Sequence, residues 1–321
     1  MPALAVITDD RFGDSDVERS VLEPAGVELR VAKCRSSADV AAAGREADAL
    51  LVNMAPVDGA AIEALQRCVV IARYGVGLDN VDVEAARRRG VAVANVPGYC
   101  DREVGEHSLA LLLASARGIA RRDRAVRGGA WNSPGPGRRV GGTVLGVMGF
   151  GGTAKALVRA SLGLGFREIL VWSPHIDVAR IVEAFGAAPE ALLCPVRPAA
   201  RGELLACSDW VCVHLPLKPE TRGIIGAAEF ALMKADAVLV NVSRGAVLDE
   251  EALVEALAAG RLGGAGLDVF VAEPLPKGSR LRSLPGVTLT DHSAYASRES
   301  LFELRRRTAE NALAGLRAAG R

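Results

Sequence analysis

The chain has 321 residues, half of them hydrophobic, and a formal net charge of +1 at pH 7. This length predicts two domains or one large α/β unit with a sizeable apolar core. The near-neutral charge argues against nucleic acid or an acidic membrane surface as the main partner. Because no apolar stretch of about 18 residues and no signal-peptide pattern occurs, we expect neither a transmembrane helix nor secretion.

The first part of the chain alternates short β-branched runs with segments of helical period. Helices are predicted at 59–66 and 83–89, among others. This alternation is typical of βαβ units with a parallel sheet, and five strands with helical crossovers favour a flavodoxin-like unit. The predicted strands of this part are 4–8, 29–32, 49–53, 69–72 and 91–94.

A long helical segment and a second series of strands follow. Residues 101–124 are rich in Ala and Leu and predict one helix, whereas the polar, Gly- and Pro-rich residues 128–137 predict a surface loop. A last helix is predicted at 298–316. We therefore expect two α/β units, the second inserted between the first and the final helix. The predicted strands of the second unit are 144–149, 168–172, 210–215, 237–242, 265–270 and 287–290.

The six cysteines are scattered and mostly lie inside apolar runs. Such residues usually behave as small buried hydrophobic groups in a reducing compartment. Cys207 and Cys212 are close in sequence, but no second close pair completes a zinc site. The sequence therefore predicts a cytoplasmic protein without a structural metal.

A glycine-rich turn lies between the predicted strand at 144–149 and the helix that follows. Gly149, Gly151 and Ala154 fit the pattern G-x-G-x-x-A. The first glycine permits a tight turn, the second lets the backbone approach a pyrophosphate, and the small Ala154 allows close helix–strand packing. The helix N-terminus attracts the anion. Together these features predict a dinucleotide site.

The next strand ends in Ser173, where NAD sites usually carry an acidic residue for the adenosine ribose. No arginine follows immediately, so NAD and NADP both remain open, with a slight preference for NAD. Ser173 is either a cofactor contact or simply the first residue of a turn.

Three polar features point to hydride-transfer chemistry on a 2-keto acid. Such a reaction needs a cation for the carboxylate, an acid for the carbonyl oxygen and a group that orients the acid. Arginine matches a carboxylate with its planar fork, and a histidine near a carboxylate is a suitable acid. Arg244, His292 and the acidic segment 268–273 each follow a predicted strand, so we expect them at one edge of a sheet.

The other three histidines have plainer interpretations. His107 lies early in the long predicted helix, where a structural role is favoured. His175 is either a solvated turn residue or a neighbour of the cofactor, and His214 is expected to be a hydrogen-bonded histidine of a buried strand.

Ordered motifs along nearly the whole chain resemble those of the D-isomer-specific 2-hydroxyacid dehydrogenases. The resemblance implies a flavodoxin-like substrate domain, residues 1–98 and 290–321, split by an inserted Rossmann dinucleotide-binding domain, residues 99–289. It also implies an active site in the cleft between them and a homodimer formed through the Rossmann domain. The motifs are RYGVGLDNVD at 73–82, NVP at 95–97, the glycine loop, VHLP at 213–216 with Thr221, Met233-Lys234, LVNVSRG at 239–245, Asp249-Glu250, GLDVF at 266–270 with Glu273-Pro274, and His292.

The same resemblance implies roles for individual residues. Arg244 would bind the substrate's carboxylate and carbonyl, His292 would be the general acid in reduction and the base in oxidation, and Glu273 would be hydrogen-bonded to His292. Substrate contacts are implied for Tyr74, Gly75, Val76, Gly77 and Asn53. Asp268 would receive the nicotinamide carboxamide, and the other implied cofactor contacts are Gly149, Gly151, Gly152, Thr153, Ser173, Leu215, Pro216, Thr221, Val242 and Ser243.

The sequence departs from the family pattern at two further positions. Asp291 stands where a proline usually precedes the histidine, and its carboxylate would either stabilise protonated His292 or, as we prefer, point away. Asn53 stands where phosphoglycerate-specific relatives tend to have an arginine, which disfavours phosphoglycerate as the substrate.

Two segments, 95–100 and 290–295, are most similar to bacterial relatives of the carboxyl-terminal-binding co-repressors. This similarity leaves a second class of function open, a binding or regulatory protein that senses NAD(H) with little turnover. The expectation we favour is an oxidoreductase that transfers a hydride between a nicotinamide cofactor and a small D-2-hydroxy acid. A panel of 2-keto acids with either cofactor distinguishes the two.

Overall fold

The computed structural model describes residues 2–131 and 135–321. Residues 132–134 of the loop predicted at 128–137 therefore lie outside the described residues. The chain divides into two compact units, one formed by the residues up to Tyr99 with Ser297–Arg321 and the other by Cys100–Ala296. The second unit extends to Ala296 rather than to 289 because the backbone of residues 290–294 is hydrogen-bonded to Leu267 and Asp268 at the end of a strand of that unit.

The first unit is built on a five-stranded parallel sheet with the order β2-β1-β3-β4-β5. This is the flavodoxin-like order, in which the direction of winding reverses between β1 and β3. The strands are β1 (Leu4–Ile7), β2 (Glu28–Val31), β3 (Ala49–Val52), β4 (Val70–Arg73) and β5 (Ala92–Ala94), and the helices are α1 (Asp16–Leu22), α2 (Ser37–Gly44), α3 (Gly59–Ala64), α4 (Val83–Arg88) and α12 (Arg298–Ala318).

A buried ion pair joins the first and last helices of this unit. Arg305 on α12 donates to both carboxylate oxygens of Glu18 on α1, at 2.8 Å and 3.0 Å. The same guanidinium reaches the carboxylate of Asp14 at 2.6 Å. Since the side chains of Arg305 and Glu18 are almost fully buried, losing either partner would leave an uncompensated buried charge. The pair therefore fixes the C-terminal helix against α1.

The second unit is built on seven parallel strands within the described residues, in the order β12-β11-β10-β9-β6-β7-β8. Counted from β6, this is the Rossmann order 3-2-1-4-5-6 with one further strand at the edge. The strands are β6 (Val144–Met148), β7 (Glu168–Trp172), β8 (Val196–Pro198), β9 (Trp210–Val213), β10 (Val238–Asn241), β11 (Gly264–Leu267) and β12 (Val287–Leu289), and the helices are α5 (Asp101–Arg117), α6 (Ile119–Arg127), α7 (Gly152–Ser161), α8 (Val178–Phe185), α9 (Arg201–Cys207), α10 (Ala227–Leu232) and α11 (Glu250–Ala258).

The predicted fold class of two doubly wound α/β units is confirmed, with two local differences. The sequence predicted no strand at Val196–Pro198, because this edge strand is three residues long and contains a proline. The single helix predicted at 101–124 is wrong. Gly118 has a φ of +63° and ends α5 at Arg117, so α6 begins separately. Among the described residues, no helix has the length and apolar character needed to cross a membrane.

The helix that follows the glycine loop packs closely against α5. The approach depends on Gly105 of α5, where an added Cβ would lie 2.7 Å from both the Cβ of Ala156 and the backbone nitrogen of Leu157 on α7. Such a contact can be relieved only by moving the two helices apart. Gly105 therefore sets the spacing between α5 and the helix whose N-terminus faces the predicted cofactor site.

We predict that Gly105→Ala lowers the free energy of unfolding by about 1–3 kcal/mol, since the new methyl overpacks the α5–α7 contact. Urea unfolding measures the change. Gly202→Ala is the matched control, because an added Cβ on this α9 residue meets nothing within 4 Å. It should leave stability equal or slightly higher. Equal destabilisation by both substitutions would contradict the close approach at Gly105.

Candidate active site

The turn after β6 has the geometry of a pyrophosphate cradle. Gly149 has a φ of +107°, and an added Cβ would lie 2.4 Å from the carbonyl oxygen of His214, so only glycine fits there. Gly151 precedes the first turn of α7, and an added Cβ there would meet nothing within 4 Å. Ala154 is fully buried. Among the described residues, nothing accepts from the N–H groups of Gly151, Gly152 and Thr153 at the start of α7, where an anion can bind, while the carboxylate of Asp101 lies against Gly152.

His214 lies directly after β9, at the point where the order of the second sheet reverses. Its Nδ1 is 3.0 Å from the hydroxyl of Thr153 on α7. Burial lowers the pKa of His214 to about 4, so the ring is neutral at physiological pH. Its buried Nε2 has no hydrogen-bond partner among the described residues. We expected His214 to be a hydrogen-bonded histidine within a strand. This expectation is wrong in part, because His214 follows the strand and its Nε2 has no hydrogen-bond partner among the described residues.

The loop after His214 contains three further predicted cofactor contacts. Leu215 is buried and Pro216 is exposed. The Thr221 hydroxyl donates to the carbonyl of Pro216 at 2.6 Å and accepts from the N–H of Lys218 at 2.8 Å. Thr221 thus shapes this loop through its own hydrogen bonds.

The turn after β10 is organised by Asn241, which the sequence analysis did not single out. Its side-chain oxygen accepts from the N–H of Ser243 at 3.0 Å and from the Ser243 hydroxyl at 2.8 Å. Its amide nitrogen donates to the carbonyl of Arg244 at 3.0 Å. The half-buried Arg244 donates from Nη1 to the Ser243 carbonyl at 2.8 Å. A fully buried asparagine therefore fixes the backbone from which Arg244 projects, while Val242 lies buried beside it.

His292 and Glu273 form a close pair. Nδ1 of His292 lies 2.6 Å from Oε2 of Glu273, whose other oxygen accepts from the N–H of Phe270 at 2.9 Å. Burial opposes ionisation of Glu273, but these hydrogen bonds and the positive charges of His292 and Arg244 outweigh it and hold the pKa of Glu273 below its usual range. Asp291 is exposed, and no hydrogen bond joins it to His292 within the described residues.

The loop that carries His292 is held by Asp268, at the end of β11. The Asp268 carboxylate accepts from the Thr290 hydroxyl at 2.6 Å and from the N–H groups of Ser293 and Ala294 at 3.0 Å each. Burial opposes its ionisation, yet hydrogen bonds from His107, Thr290, Ala294 and Ser293 lower the pKa of Asp268 to about 2. The carboxylate is fully buried and pairs with this loop. Its contact with the nicotinamide carboxamide stays a prediction.

His107 completes this network. Its Nε2 lies 3.0 Å from the hydroxyl oxygen of Thr290 and 3.5 Å from the Asp268 carboxylate. Because the single proton of the Thr290 hydroxyl is donated to Asp268, Nε2 of His107 must carry a proton and donate. The interpretation of His107 as a structural residue agrees with this position, which supports the His292 loop from α5.

In the first unit, the structure corrects one expected side-chain position. Tyr74 was expected to shape the substrate pocket, but its ring is buried and its hydroxyl donates to Glu18 at 3.0 Å. Tyr74 therefore belongs to the buried ion-pair cluster of α1 and α12. In the loop that follows Tyr74, the backbone carbonyl oxygens of Gly75 and Val76 accept hydrogen bonds from Val96 and Asn95. Among the described residues, nothing accepts from the N–H groups of Val76 and Gly77.

Asn53 follows β3, at the point where the order of the first sheet reverses. It is 9% exposed, and its N–H and that of Met54 donate to the carboxylate of Asp9 at 3.1 Å and 2.7 Å. A carboxylate thus lies at this turn. Arg73 at the end of the neighbouring strand β4 is the register partner of Val52, so a cation lies on the strand beside this turn.

Comparison with known proteins is consistent with these observations. The profile of the family described as "D-isomer specific 2-hydroxyacid dehydrogenase, NAD binding domain" matches residues 109–294. A glyoxylate reductase of Korarchaeum cryptofilum is 37% identical over 276 residues, which cover 84% of this chain and 80% of that protein. A D-3-phosphoglycerate dehydrogenase of Mycobacterium leprae is also 37% identical over 276 residues, covering 85% of this chain and 50% of that protein.

Among solved structures, the TT0316 protein of Thermus thermophilus superposes with a TM-score of 0.85 at 32% identity, covering 98% of this chain and 97% of that one. The family match spans most of the second unit, and the curated relatives extend across both units. The chain therefore belongs to the D-isomer-specific 2-hydroxyacid dehydrogenase family, and is an oxidoreductase that acts on the CH–OH group of 2-hydroxy acids with NAD or NADP.

Proposed function

We propose that this protein reduces small, unphosphorylated 2-keto acids to D-2-hydroxy acids, with Arg244, Glu273 and His292 as the catalytic residues. The observation that carries the proposal is the 2.6 Å contact between Nδ1 of His292 and the carboxylate of Glu273. This contact leaves Nε2 of His292 for the substrate. Arg244 follows β10 and His292 follows β12, so both lie at the carboxyl edge of the same parallel sheet, which supports a common site.

His292 performs the proton transfer in this proposal. During reduction Nε2 donates its proton to the carbonyl oxygen, and during oxidation it accepts the proton of the hydroxyl. Glu273 holds the ring through Nδ1 and stabilises the imidazolium form, since its own pKa is held low and it stays ionised. The nicotinamide cofactor, when bound, supplies the hydride.

Arg244 binds and orients the substrate. Its planar guanidinium can contact the carboxylate and the keto oxygen together, which a lysine cannot do with one point charge. Asn241 fixes the backbone at Ser243 and Arg244 through three hydrogen bonds. In the first unit, the N–H groups of Val76 and Gly77 are donors for the substrate carboxylate.

The cofactor binds along the carboxyl ends of β6, β7, β9 and β10. The N–H groups of Gly151, Gly152 and Thr153 at the start of α7 would hold the pyrophosphate. Further contacts are proposed for Gly149, Ser173, Leu215, Pro216, Thr221, Val242, Ser243 and Asp268.

The turn at Asn53 supports an unphosphorylated substrate. Asn53 is neutral, and the carboxylate of Asp9 is bound to the backbone of the same turn. A substrate phosphate placed there would meet the Asp9 carboxylate as a like charge, while the guanidinium of Arg73 on the neighbouring strand β4 lies against Gly75. A keto acid of the size of glyoxylate or pyruvate has no phosphate, so we propose this class over phosphohydroxypyruvate.

We also propose that the protein is a cytoplasmic homodimer. The exposed apolar side chains of Ile119, Val126 and Trp131 on and after α6 support association through the second unit. Light scattering should give twice the chain mass, and the mass of a single chain would contradict this.

The function is tested by mixing purified protein with NADH or NADPH and glyoxylate, pyruvate, hydroxypyruvate or 3-phosphohydroxypyruvate. We expect oxidation of the reduced cofactor with the first three and much less with the last. If none of them is turned over while the cofactor binds, the protein is a nucleotide-sensing binding protein instead.

The roles of His292 and Arg244 predict different kinetic losses. His292→Ala removes the proton donor and should lower kcat by about a hundredfold or more with KM little changed. Arg244→Ala removes a contact to substrate and transition state, so KM should rise and kcat/KM fall by about tenfold to a hundredfold or more. Fluorescence titration should show unchanged cofactor affinity in both variants. An unchanged KM in Arg244→Ala would overturn the proposed role in carboxylate binding.

The ionised state of Glu273 predicts a shift in the pH profile. Reduction needs protonated His292, so its rate falls as the pH rises. Glu273→Gln removes the charge that stabilises the imidazolium, and this decline should move down by about one pH unit or more, with oxidation extending to lower pH. Asp291→Asn is the matched control and should move the profile much less. Equal shifts in both variants would show that Glu273 has no specific role.

A further inference from the structure

The segment after β7 contains a cation whose position the sequence does not reveal. Arg180 lies in the first turn of α8, seven residues beyond Ser173 along the chain. Its guanidinium returns toward the loop, where Nη1 donates to the carbonyl oxygen of His175 at 3.1 Å. The side chain is thereby tied to the short connection between the end of β7 and α8.

The acidic residue of this connection, Asp177, already binds the backbone of α8. Asp177 is the N-cap of α8, and its carboxylate accepts from the N–H of Arg180 at 2.8 Å. This carboxylate binds the backbone at the start of the helix, and among the described residues it makes no ion pair with the Arg180 guanidinium, which donates to His175 instead. The strand itself ends in Ser173, which bears a neutral hydroxyl. The end of β7 therefore offers a hydroxyl and a tethered guanidinium.

We propose that Ser173 and Arg180 form a binding site for the 2′-phosphate of NADP(H), so that the protein binds NADP(H) in preference to NAD(H). The proposal rests on the proposed cofactor site, since in a Rossmann domain the adenosine ribose lies at the end of the second strand, here β7. An acid at that position would bind both ribose hydroxyls and repel a 2′-phosphate. The hydroxyl of Ser173 does neither, and it can donate to the phosphate.

Arg180 suits this task in charge and in geometry. A guanidinium forms paired, charge-assisted hydrogen bonds with phosphate oxygens. Because Nη1 is already bonded to His175, part of the side-chain entropy is lost before the phosphate binds. Two further cations lie on α7, where Lys155 is 5.2 Å from the Phe150 ring and Arg159 is 5.4 Å from the Phe185 ring. The proposed preference for NADP(H) differs from the slight preference for NAD expected from the sequence.

The test compares binding rather than turnover. Calorimetric titration of the wild-type protein with NADPH, NADH, adenosine 2′,5′-bisphosphate and 5′-AMP isolates the contribution of the 2′-phosphate. We expect NADPH to bind about tenfold or more tighter than NADH, and adenosine 2′,5′-bisphosphate to bind about tenfold or more tighter than 5′-AMP. Both differences in affinity should decrease as salt is added.

Two variants and one control assign the site. Arg180→Ala should raise the Kd of NADPH by about tenfold or more while leaving that of NADH unchanged. Ser173→Asp should raise the Kd of NADPH and lower the Kd of NADH. The control is Arg261→Ala, which removes an equal charge at the amino end of β11 and should change neither Kd.

Equal wild-type affinities for NADPH and NADH would overturn the inference, as would an Arg180→Ala variant that weakens both cofactors alike. These outcomes are separate from the proposed function. A protein that prefers NADPH but reduces no keto acid would keep the 2′-phosphate site and lose the catalytic proposal. A protein that reduces keto acids and binds NADPH and NADH with equal Kd would keep the catalytic proposal and lose the 2′-phosphate site.

Discussion

The buried carboxylate of Asp268 is the constraint on which the geometry of the site depends. It accepts from Thr290 and from the backbone of Ser293 and Ala294, while its own carbonyl accepts from the N–H of His292 at 2.8 Å. His292 has a φ of +56°, the only positive φ outside glycine among the described residues. Such a conformation is costly for a side chain of this size and persists only where neighbours enforce it. Asp268 provides that enforcement and so determines where the imidazole points.

Two carboxylates at the ends of neighbouring segments therefore have separate tasks. Asp268 is fully buried, with a pKa lowered to about 2, and it binds backbone. Glu273 is less buried and binds the imidazole itself. Because the pKa values of both carboxylates are lowered, both stay ionised across the physiological range and keep these hydrogen bonds.

The sequence predicted the architecture well because strand and helix periods alternate clearly and the glycine loop has a fixed context. It also placed Arg244 and His292 at strand ends, where parallel sheets bring ligands together. The direction in which individual side chains point could not be predicted from the sequence. Tyr74 precedes the loop for which we propose substrate contacts, yet its side chain lies in the buried cluster around Glu18, a partner 56 residues away. Asn241 and Thr290 give no periodic signal, because their importance lies in hydrogen bonds to backbone atoms.

The central claim is that Glu273 fixes the tautomer of His292, with the proton on Nδ1 and Nε2 turned to the substrate. Nitrogen NMR of the histidine side chains tests it directly, since the chain has four histidines and single substitutions assign the signals. At a pH where His292 is neutral, we expect a protonated Nδ1 and an unprotonated Nε2. The opposite tautomer, with the proton on Nε2, would contradict the hydrogen bond to Glu273 and the catalytic role derived from it.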